Sequence, residues 1–282
     1  MVIFLNGAYV SEDTQISYND RGIQFGDGVY EVVRVYHGEL YTAKEHFERL
    51  VRSTKEIAIE SPYSVQDYID ICNRLVKENN IDNGTVYIQV TRGDAVRNHA
   101  YPKDVKPNVL LYTNIAERPM QDMQQGIKAI TTEDFRWLRC DIKSLNLLGN
   151  VMNKQKAVEA GAKEAIQIRD GIVTEGSSSN VFIVKDGKII THPVNHYILN
   201  GITRRVIKQI ADEAGIPFEE FTYDEKALKN ADEVFISSTT QEVMPVVEID
   251  GENINQGKVG PIVKQLQTKF NEQIITIQSE KA

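Results

Sequence analysis

Two segments near the middle of the chain carry residue types that could act together chemically. Residues 139–146 (RCDIKSLN) offer one lysine amine at Lys143, and residues 174–182 (TEGSSSNVF) offer one carboxylate at Glu175. We expect Lys143 and Glu175 each to lie at the end of a strand. A lysine amine can form a Schiff base with an aldehyde, and a carboxylate can pair with a protonated pyridine nitrogen. This is the pair that pyridoxal phosphate chemistry requires.

The neighbours of Lys143 and Glu175 are compatible with these roles. Ile142 and Leu145 beside the lysine are apolar, which favours the partial desolvation that a reactive amine needs. A glycine and three serines follow Glu175, and their amides and hydroxyls could hold an ionised carboxylate. The pattern alone leaves two alternatives open, a surface lysine at 143 and an ordinary loop carboxylate at 175.

Three further segments could bind a phosphate group. Residues 201–203 (GIT) begin a predicted helix, where free amides and the helix dipole favour an anion. Residues 237–240 (SSTT) form a second turn rich in hydroxyl groups, and Arg49 shares a helix face with His46. Plain helix initiation at Gly201 and a solvated charge at Arg49 remain the alternatives.

Residues that could bind a substrate lie in the first part of the chain. Tyr30 and Val32 share one face of a predicted strand by its two-residue alternation. Arg97 and His99 are two residues apart in a predicted loop and could converge on one carboxylate. Core packing of Tyr30 and a mobile surface loop at 97–99 are the alternatives.

The order of elements predicts a mixed α/β (α+β) fold with two domains. Polar residues 116–122 contain a proline and lack periodicity, so they are the predicted linker between domains at 1–115 and 123–282, the second carrying Lys143. Strands are predicted at 2–5, 8–10, 29–36, 39–41, 85–91, 109–113, 127–132, 164–168, 171–174, 181–184, 188–191, 233–237 and 243–249, and helices at 43–58, 65–76, 149–160, 203–214 and 259–273.

Bulk composition limits the classes of protein that this chain can belong to. Its 282 residues are 41% hydrophobic and 26% charged, which is typical of a folded globular protein. A net charge of −8 without a basic run argues against nucleic acid as a partner. No apolar run approaches the roughly 20 residues that span a bilayer, and residues 1–7 lack the features of a signal peptide. The chain contains two cysteines, Cys72 and Cys140, which fit a reducing compartment. We therefore expect a cytoplasmic protein without a membrane partner, and we predict no metal site.

The motifs, taken in order, resemble those of the class IV (fold type IV) pyridoxal phosphate aminotransferases. The resemblance covers nearly the whole chain, and within the family it is greatest to members that act on D-amino acids. Segments 90–99 and 137–143 carry that finer likeness. The motifs are residues 20–22 (DRG), 25–31 (FGDGVYE), 46–50 (HFERL), 143–146 (KSLN), 174–182 (TEGSSSNVF) and 201–204 (GITR).

The resemblance implies a role for each matching residue. It implies that Lys143 is the Schiff-base lysine and proton shuttle, and that Glu175 is the partner of the pyridine nitrogen. It implies a trap for the substrate α-carboxylate made of Tyr30, Arg97 and His99, with Val32 as a pocket wall. Arg97 and His99 would come from the second subunit of a homodimer. The remaining implied cofactor ligands are Arg49, Ser178, Leu199, Ile202, Thr203, Ser238 and Thr239.

The implied reaction is a transamination between D-amino acids and 2-oxo acids, with D-alanine and 2-oxoglutarate giving pyruvate and D-glutamate. Three alternatives stay open from the sequence. A branched-chain L-aminotransferase of the same fold would share Lys143 and Glu175 but differ in the carboxylate trap. An aminodeoxychorismate lyase would eliminate instead of transaminating. A cofactor-binding or scaffold protein on this fold would have no activity.

Overall fold

Residues 1–279 are described by the computed structural model, with side chains described through residue 276. Contacts within the chain group into two units, each of mixed α and β structure, so the predicted fold class is confirmed. The first unit comprises Met1–Glu117 together with Ile142–Asn146. The second comprises Arg118–Asp141 together with Leu147–Ser279.

The first unit is an antiparallel sheet packed on two helices. Its six strands, all within residues 1–117, follow the order β2-β1-β6-β5-β3-β4. A capping box of Ser64 and Asp67 begins the second long helix, and a core containing Phe47 and Tyr68 joins the helices to the sheet. The elements are β1 (Val2–Leu5), β2 (Ala8–Ser11), α1 (Arg21–Phe25), β3 (Gly28–Tyr36), β4 (Glu39–Tyr41), α2 (Ala43–Glu56), α3 (Val65–Glu78), β5 (Gly84–Thr91) and β6 (Asn108–Ile115).

Strand β3 places its side chains alternately on two faces of the sheet. Val29, Val33 and Val35 are fully buried in the core under the helices. Tyr30 and Val32 lie on the opposite face and are half-buried. Because β3 pairs with β5 over its first eight residues, this alternation is fixed in register and cannot slip without exposing the valines.

The second unit is a larger mixed sheet. Its strands between residues 127 and 253 follow the order β12-β11-β10-β13-β14-β7-β8-β9, and β15 pairs with β14. Strand β7 is parallel to both of its neighbours, whereas β10 and β13 pair antiparallel. The elements are α4 (Met120–Gln125), β7 (Ile127–Glu133), α5 (Leu148–Glu159), β8 (Glu164–Arg169), β9 (Ile172–Gly176), β10 (Asn180–Lys185), β11 (Lys188–Thr191), α6 (Ile202–Glu213), β12 (Phe218–Glu220), α7 (Glu225–Lys229), β13 (Glu233–Ser238), β14 (Glu242–Ile249), β15 (Glu252–Asn253) and α8 (Pro261–Ser279).

The division into units differs from the predicted domains in one respect. The first boundary, after Glu117, falls within predicted linker 116–122, but helix α4 already begins at Met120 and Arg118 is ion-paired with the buried Glu242. The prediction placed Lys143 in the C-terminal domain, whereas its contacts place Ile142–Asn146 in the first unit. The physical reason is backbone pairing with β3, described below.

No helix within residues 1–279 is long and apolar enough to cross a membrane. In the same residues, no group of three or more histidine, cysteine, aspartate or glutamate side chains is placed to hold a metal ion.

Candidate active site

Lys143 is held through its backbone by strand β3. The Tyr30 amide donates to the Lys143 carbonyl at 3.0 Å, and the Leu145 amide donates to the Gly28 carbonyl at 3.0 Å. The lysine therefore lies in an irregular segment that is bridged to β3 at Ser144, not at the end of a strand as predicted. Its side chain is half-buried, and Nζ lies 4.2 Å from the centre of the Tyr30 ring. The structure thus brings Lys143 and Tyr30 together.

A buried ion cluster lies on the opposite face of β3 from Tyr30. Glu31 accepts from Arg49 Nε at 2.6 Å and from Arg49 Nη2 at 2.9 Å, and its Oε2 is 2.7 Å from His46 Nδ1. Burial opposes ionisation of Glu31, but the Arg49 guanidinium and His46 together lower its pKa to about 2. Burial also lowers the pKa of His46, with Glu31 opposing that shift. His46 is therefore neutral at pH 7 and donates its Nδ1 proton to Glu31.

The cluster changes the interpretation of Arg49. Its side chain is only 4% exposed and forks onto Glu31, so the alternative of a solvated surface charge is wrong. As predicted, Arg49 and His46 share one face of α2, where both contact the same carboxylate. Glu31 itself was missing from the predicted site. The signal that could have found it is a charged residue among Val29, Val33 and Val35 on the apolar face of a strand.

The face of the first sheet that carries Tyr30, opposite the core under the helices, is rich in tyrosine. Tyr30 stacks on Tyr87 with 5.8 Å between ring centres, and Tyr87 stacks on Tyr112 at 4.9 Å. Val32 is also half-buried on this face, directly opposite Tyr87 in the register. Tyr30 therefore lies on the tyrosine-rich face and not in the apolar core under the helices.

Arg97 and His99 lie in the loop between β5 and β6, as predicted, and both are exposed. The Arg97 guanidinium is 4.7 Å from the centre of the Phe25 ring, and the His99 ring is 5.4 Å from it. Buried Arg21 donates to the Asn98 carbonyl at 2.5 Å and to the His99 carbonyl at 3.4 Å. The loop is thus held at its backbone while Arg97 and His99 face outward.

Glu175 lies inside strand β9, one residue before its end, and not in the loop after a strand as predicted. Its carboxylate is buried and accepts from Arg136 Nη1 at 2.5 Å, from the Leu199 amide at 2.9 Å and from Asn180 Nδ2 at 3.2 Å. Burial raises the pKa of Glu175, and Arg136 and the Leu199 amide oppose that rise. A further cation at this carboxylate would therefore favour its ionised form.

Arg136 is the second residue that the sequence analysis missed. Its Nε and Nη2 each donate to Asp134 at 2.8 Å while Nη1 contacts Glu175. Burial opposes ionisation of Asp134, but the hydrogen bonds and charge of Arg136 lower the pKa of this carboxyl to about 2. Asp134 and Arg136 are only two residues apart, and this spacing alone does not indicate a site. The role of Arg136 becomes visible only through its contact with Glu175 on β9.

The remaining predicted residues lie close to Glu175, at the start of helix α6 and at the end of β13. Asn180 bonds both Glu175 and the Leu199 carbonyl, the latter at 2.8 Å, so it fixes Leu199. Buried Glu164 binds the hydroxyls of Ser177 and Ser179, which leaves Ser178 exposed between them.

Helix α6 begins with two buried residues, Ile202 and Thr203, and its N-cap residue Gly201 provides no side-chain cap. A Cβ at Gly201 would lie 2.2 Å from Asn180 Oδ1, so only glycine fits beside the residue that supports Glu175. Ser238 ends β13, Thr239 follows in the turn, and both are half-buried.

The chain is similar to known proteins over most of its length. The family model described as amino-transferase class IV matches residues 28–249. The chain is 57% identical over 274 residues to a D-alanine aminotransferase of Staphylococcus epidermidis, covering 96% of this chain and 97% of that protein. It is 49% identical over 277 residues to a D-alanine aminotransferase of Bacillus licheniformis, covering 98% of each. Its structure is similar to that of the Escherichia coli branched-chain amino acid aminotransferase, with a TM-score of 0.91 and 27% identity over 96% of this chain and 93% of the other. Another similar branched-chain amino acid aminotransferase structure contains pyridoxamine 5'-phosphate.

We expect Glu31→Gln to destabilise the protein by about 3–5 kcal/mol at pH 7, because it removes one partner of a buried ion cluster. The folded pKa of Glu31, about 2, lies below its ordinary value of 4.5. Its contribution is therefore fully present above pH 4.5 and is lost as the pH falls towards 2. Urea unfolding at pH 7, 5, 4 and 3 should show this loss in the wild type and a flatter profile in the variant.

Glu48→Gln is the matched control, since Glu48 is exposed on α2, the helix that carries Arg49 and His46, and lies 3.9 Å from Lys44. We expect its unfolding curve at pH 7 to match that of the wild type. Equal stability of Glu31→Gln and wild type at pH 7 would contradict the assigned role of the cluster.

Proposed function

The chain belongs to the class IV aminotransferases, and from this premise we propose that it transfers the amino group between D-amino acids and 2-oxo acids. D-alanine and 2-oxoglutarate would give pyruvate and D-glutamate. The chain is a pyridoxal phosphate-dependent enzyme, as its family requires. One observation carries the choice of D-alanine, the near-complete match to relatives that bear the name D-alanine aminotransferase.

Residues within each unit fit pyridoxal phosphate. A half-buried lysine stands beside an aromatic ring, which suits covalent attachment of an aldehyde. The buried Glu175 carboxylate, whose ionised form a cation would favour, suits a protonated pyridine nitrogen. The uncapped first turn of α6 supplies amide donors for a phosphate, and Ser238 and Thr239 supply hydroxyls. The cofactor, when bound, withdraws electrons from the substrate Cα.

We propose these roles for the residues. Lys143 would hold the cofactor through its aldehyde carbon, and Nζ would take the Cα proton of the amino acid and deliver it to that same carbon. Glu175 keeps the pyridine nitrogen protonated, and Leu199 acts through the amide that also holds Glu175. The cofactor would be held further by Arg49, Ser178, Ile202, Thr203, Ser238 and Thr239.

The substrate α-carboxylate would be bound by Tyr30, Arg97 and His99, with Val32 as a pocket wall. Arg97 and His99 are exposed on a loop whose backbone is held by Arg21, which suits residues that serve the site of another subunit. We therefore propose a homodimer. Handedness follows because the trap fixes one substituent of Cα while Lys143 approaches from one side. The two free, buried cysteines, Cys72 and Cys140, support a cytoplasmic location.

A branched-chain L-amino acid aminotransferase is the second candidate, because structures that bear the name branched-chain aminotransferase share the fold at a TM-score of 0.91. The two candidates differ in the handedness of the donor. The purified holoenzyme, given 2-oxoglutarate with D-alanine, L-alanine or L-leucine in separate reactions, should release an oxo acid only from D-alanine. Turnover of L-leucine without turnover of D-alanine would favour the second candidate.

Lys143→Ala should lower transaminase turnover by at least about 10³-fold, since both covalent binding and proton transfer depend on this amine. Borohydride reduction of the wild-type holoenzyme, followed by peptide mapping, should place the cofactor on residue 143. Lys156→Ala is the control, because Lys156 is exposed on helix α5. A reduced adduct on another lysine would remove the assignment.

Glu175→Gln should lower kcat by about 10²–10³-fold, because a neutral amide cannot hold the pyridine nitrogen in its charged form. KM should change much less, since the α-carboxylate trap stays intact. Steady-state kinetics with D-alanine measure both quantities. Glu159→Gln, at the exposed C-terminal end of α5, should behave as wild type. An unchanged kcat in Glu175→Gln would dismiss the proposed role.

Arg97→Ala should raise KM for D-alanine and for 2-oxoglutarate by about tenfold or more, because both carry the same α-carboxylate. The control is Lys103→Ala, an exposed cation in the same loop. Mixing Arg97→Ala with the inactive Lys143→Ala variant tests the dimer, since hybrids place an intact Arg97 and an intact Lys143 in one site only if they come from different subunits. Failure of the mixture to regain wild-type KM would count against a site that takes Arg97 and Lys143 from different subunits.

A further inference from the structure

Arg34 is a buried cation on strand β3. Its side chain is 1% exposed, and among the residues that the structure describes its Nε, Nη1 and Nη2 have no hydrogen-bond partner. Its guanidinium carbon lies 5.1 Å from the centre of the Tyr36 ring. By contrast, the buried arginines Arg49 and Arg136 each contact at least one carboxylate.

A buried guanidinium without a hydrogen-bond partner is stabilised when it binds an anion. Guanidinium stays charged at any physiological pH, so burial cannot be relieved by loss of a proton. The residues directly opposite Arg34 in the register are Thr85 on β5 and Tyr41 on β4, and neither carries a charge. The free energy of a buried, unpaired cation falls when a carboxylate binds it through two parallel hydrogen bonds.

The position of Arg34 relates it to the proposed substrate site. Alternation along β3 puts Tyr30, Val32 and Arg34 on one face, in this order. Tyr30 belongs to the proposed α-carboxylate trap, and Arg34 lies about 13 Å further along the strand, at ~3.3 Å per residue. A substrate side chain that leaves the trap and passes Val32 therefore runs towards Arg34.

We propose that Arg34 is the subsite for the distal carboxylate of a five-carbon dicarboxylic substrate, the side-chain carboxylate of 2-oxoglutarate or D-glutamate. This inference rests on the proposed function. It explains how one pocket serves a methyl group and a propionate, since the smaller side chain ends near Val32 and the larger one reaches Arg34. The guanidinium is covered in this structure, so entry of the acid displaces the side chains around it.

Selectivity between two oxo acids tests the subsite. With D-alanine as donor, kcat/KM is measured for 2-oxoglutarate and for 2-oxobutyrate, which lacks the distal carboxylate. Arg34→Met should lower the ratio of these two values at least tenfold, because the lost contact joins two charged groups. Arg34→Lys should lower it less, since the charge remains but the planar fork is lost. Arg74→Met, at an exposed arginine on α3, is the control and should leave the ratio unchanged.

A binding measurement without turnover gives a second readout. Glutarate should raise the thermal unfolding temperature of the wild type more than butyrate does, and this difference should vanish in Arg34→Met. The variant itself should unfold no earlier than wild type, since a buried unpaired charge has been removed. If Arg34→Met does not fold, the glutarate difference in wild type and its reduction in Arg34→Lys decide the matter.

The outcomes separate the two proposals. An unchanged acceptor ratio in Arg34→Met, or equal stabilisation of wild type by glutarate and butyrate, overturns the subsite. Absence of transamination between D-alanine and any 2-oxo acid overturns the proposed function instead, and the glutarate comparison still tests Arg34 in that case.

Discussion

The pairing of residues 142–146 with the start of strand β3 is the interaction on which the candidate site residues of the first unit depend. Two backbone hydrogen bonds and the Val29–Ser144 bridge join these segments. They fix Lys143 beside Tyr30, and the alternation of β3 then determines which of its side chains share a face with Tyr30. One face presents Tyr30, Val32 and Arg34, and the other carries Glu31 to the ion cluster in the core.

The two carboxylates, Glu31 and Glu175, show how environment separates residues of the same type. Burial acts to raise the pKa of both groups. Glu31 meets both a guanidinium and an imidazole, which outweigh burial and lower its pKa. Glu175 meets a guanidinium and weaker amide donors, and burial prevails. Glu31 is therefore held ionised in the core, whereas the ionised form of Glu175 would be favoured by a further bound cation.

The sequence predicted the elements that have a strong period and the motifs that lie close together in the chain. The predicted β3 at 29–36 and helix at 43–58 match the structure to within two residues, because three valines at 29, 33 and 35 fit one face of a strand and apolar residues at helical spacing fit one face of a helix. Short elements without a period, such as α1 and β12, were missed. Arg136, Glu31 and the orphaned Arg34 could not be identified, because their partners, or the lack of them, depend on contacts distant in sequence.

The assignment of Ile142–Asn146 to the first unit has a consequence for modularity. A fragment ending at Glu117 would contain every strand of the first sheet, yet it would leave the amide of Tyr30 and the carbonyl of Gly28 without their acceptor and donor. Recombination with a relative at that boundary would likewise combine a β3 from one parent with a lysine segment from the other. Chimeras of this protein should therefore take β3 and residues 142–146 from the same parent, although the two segments are far apart in the gene.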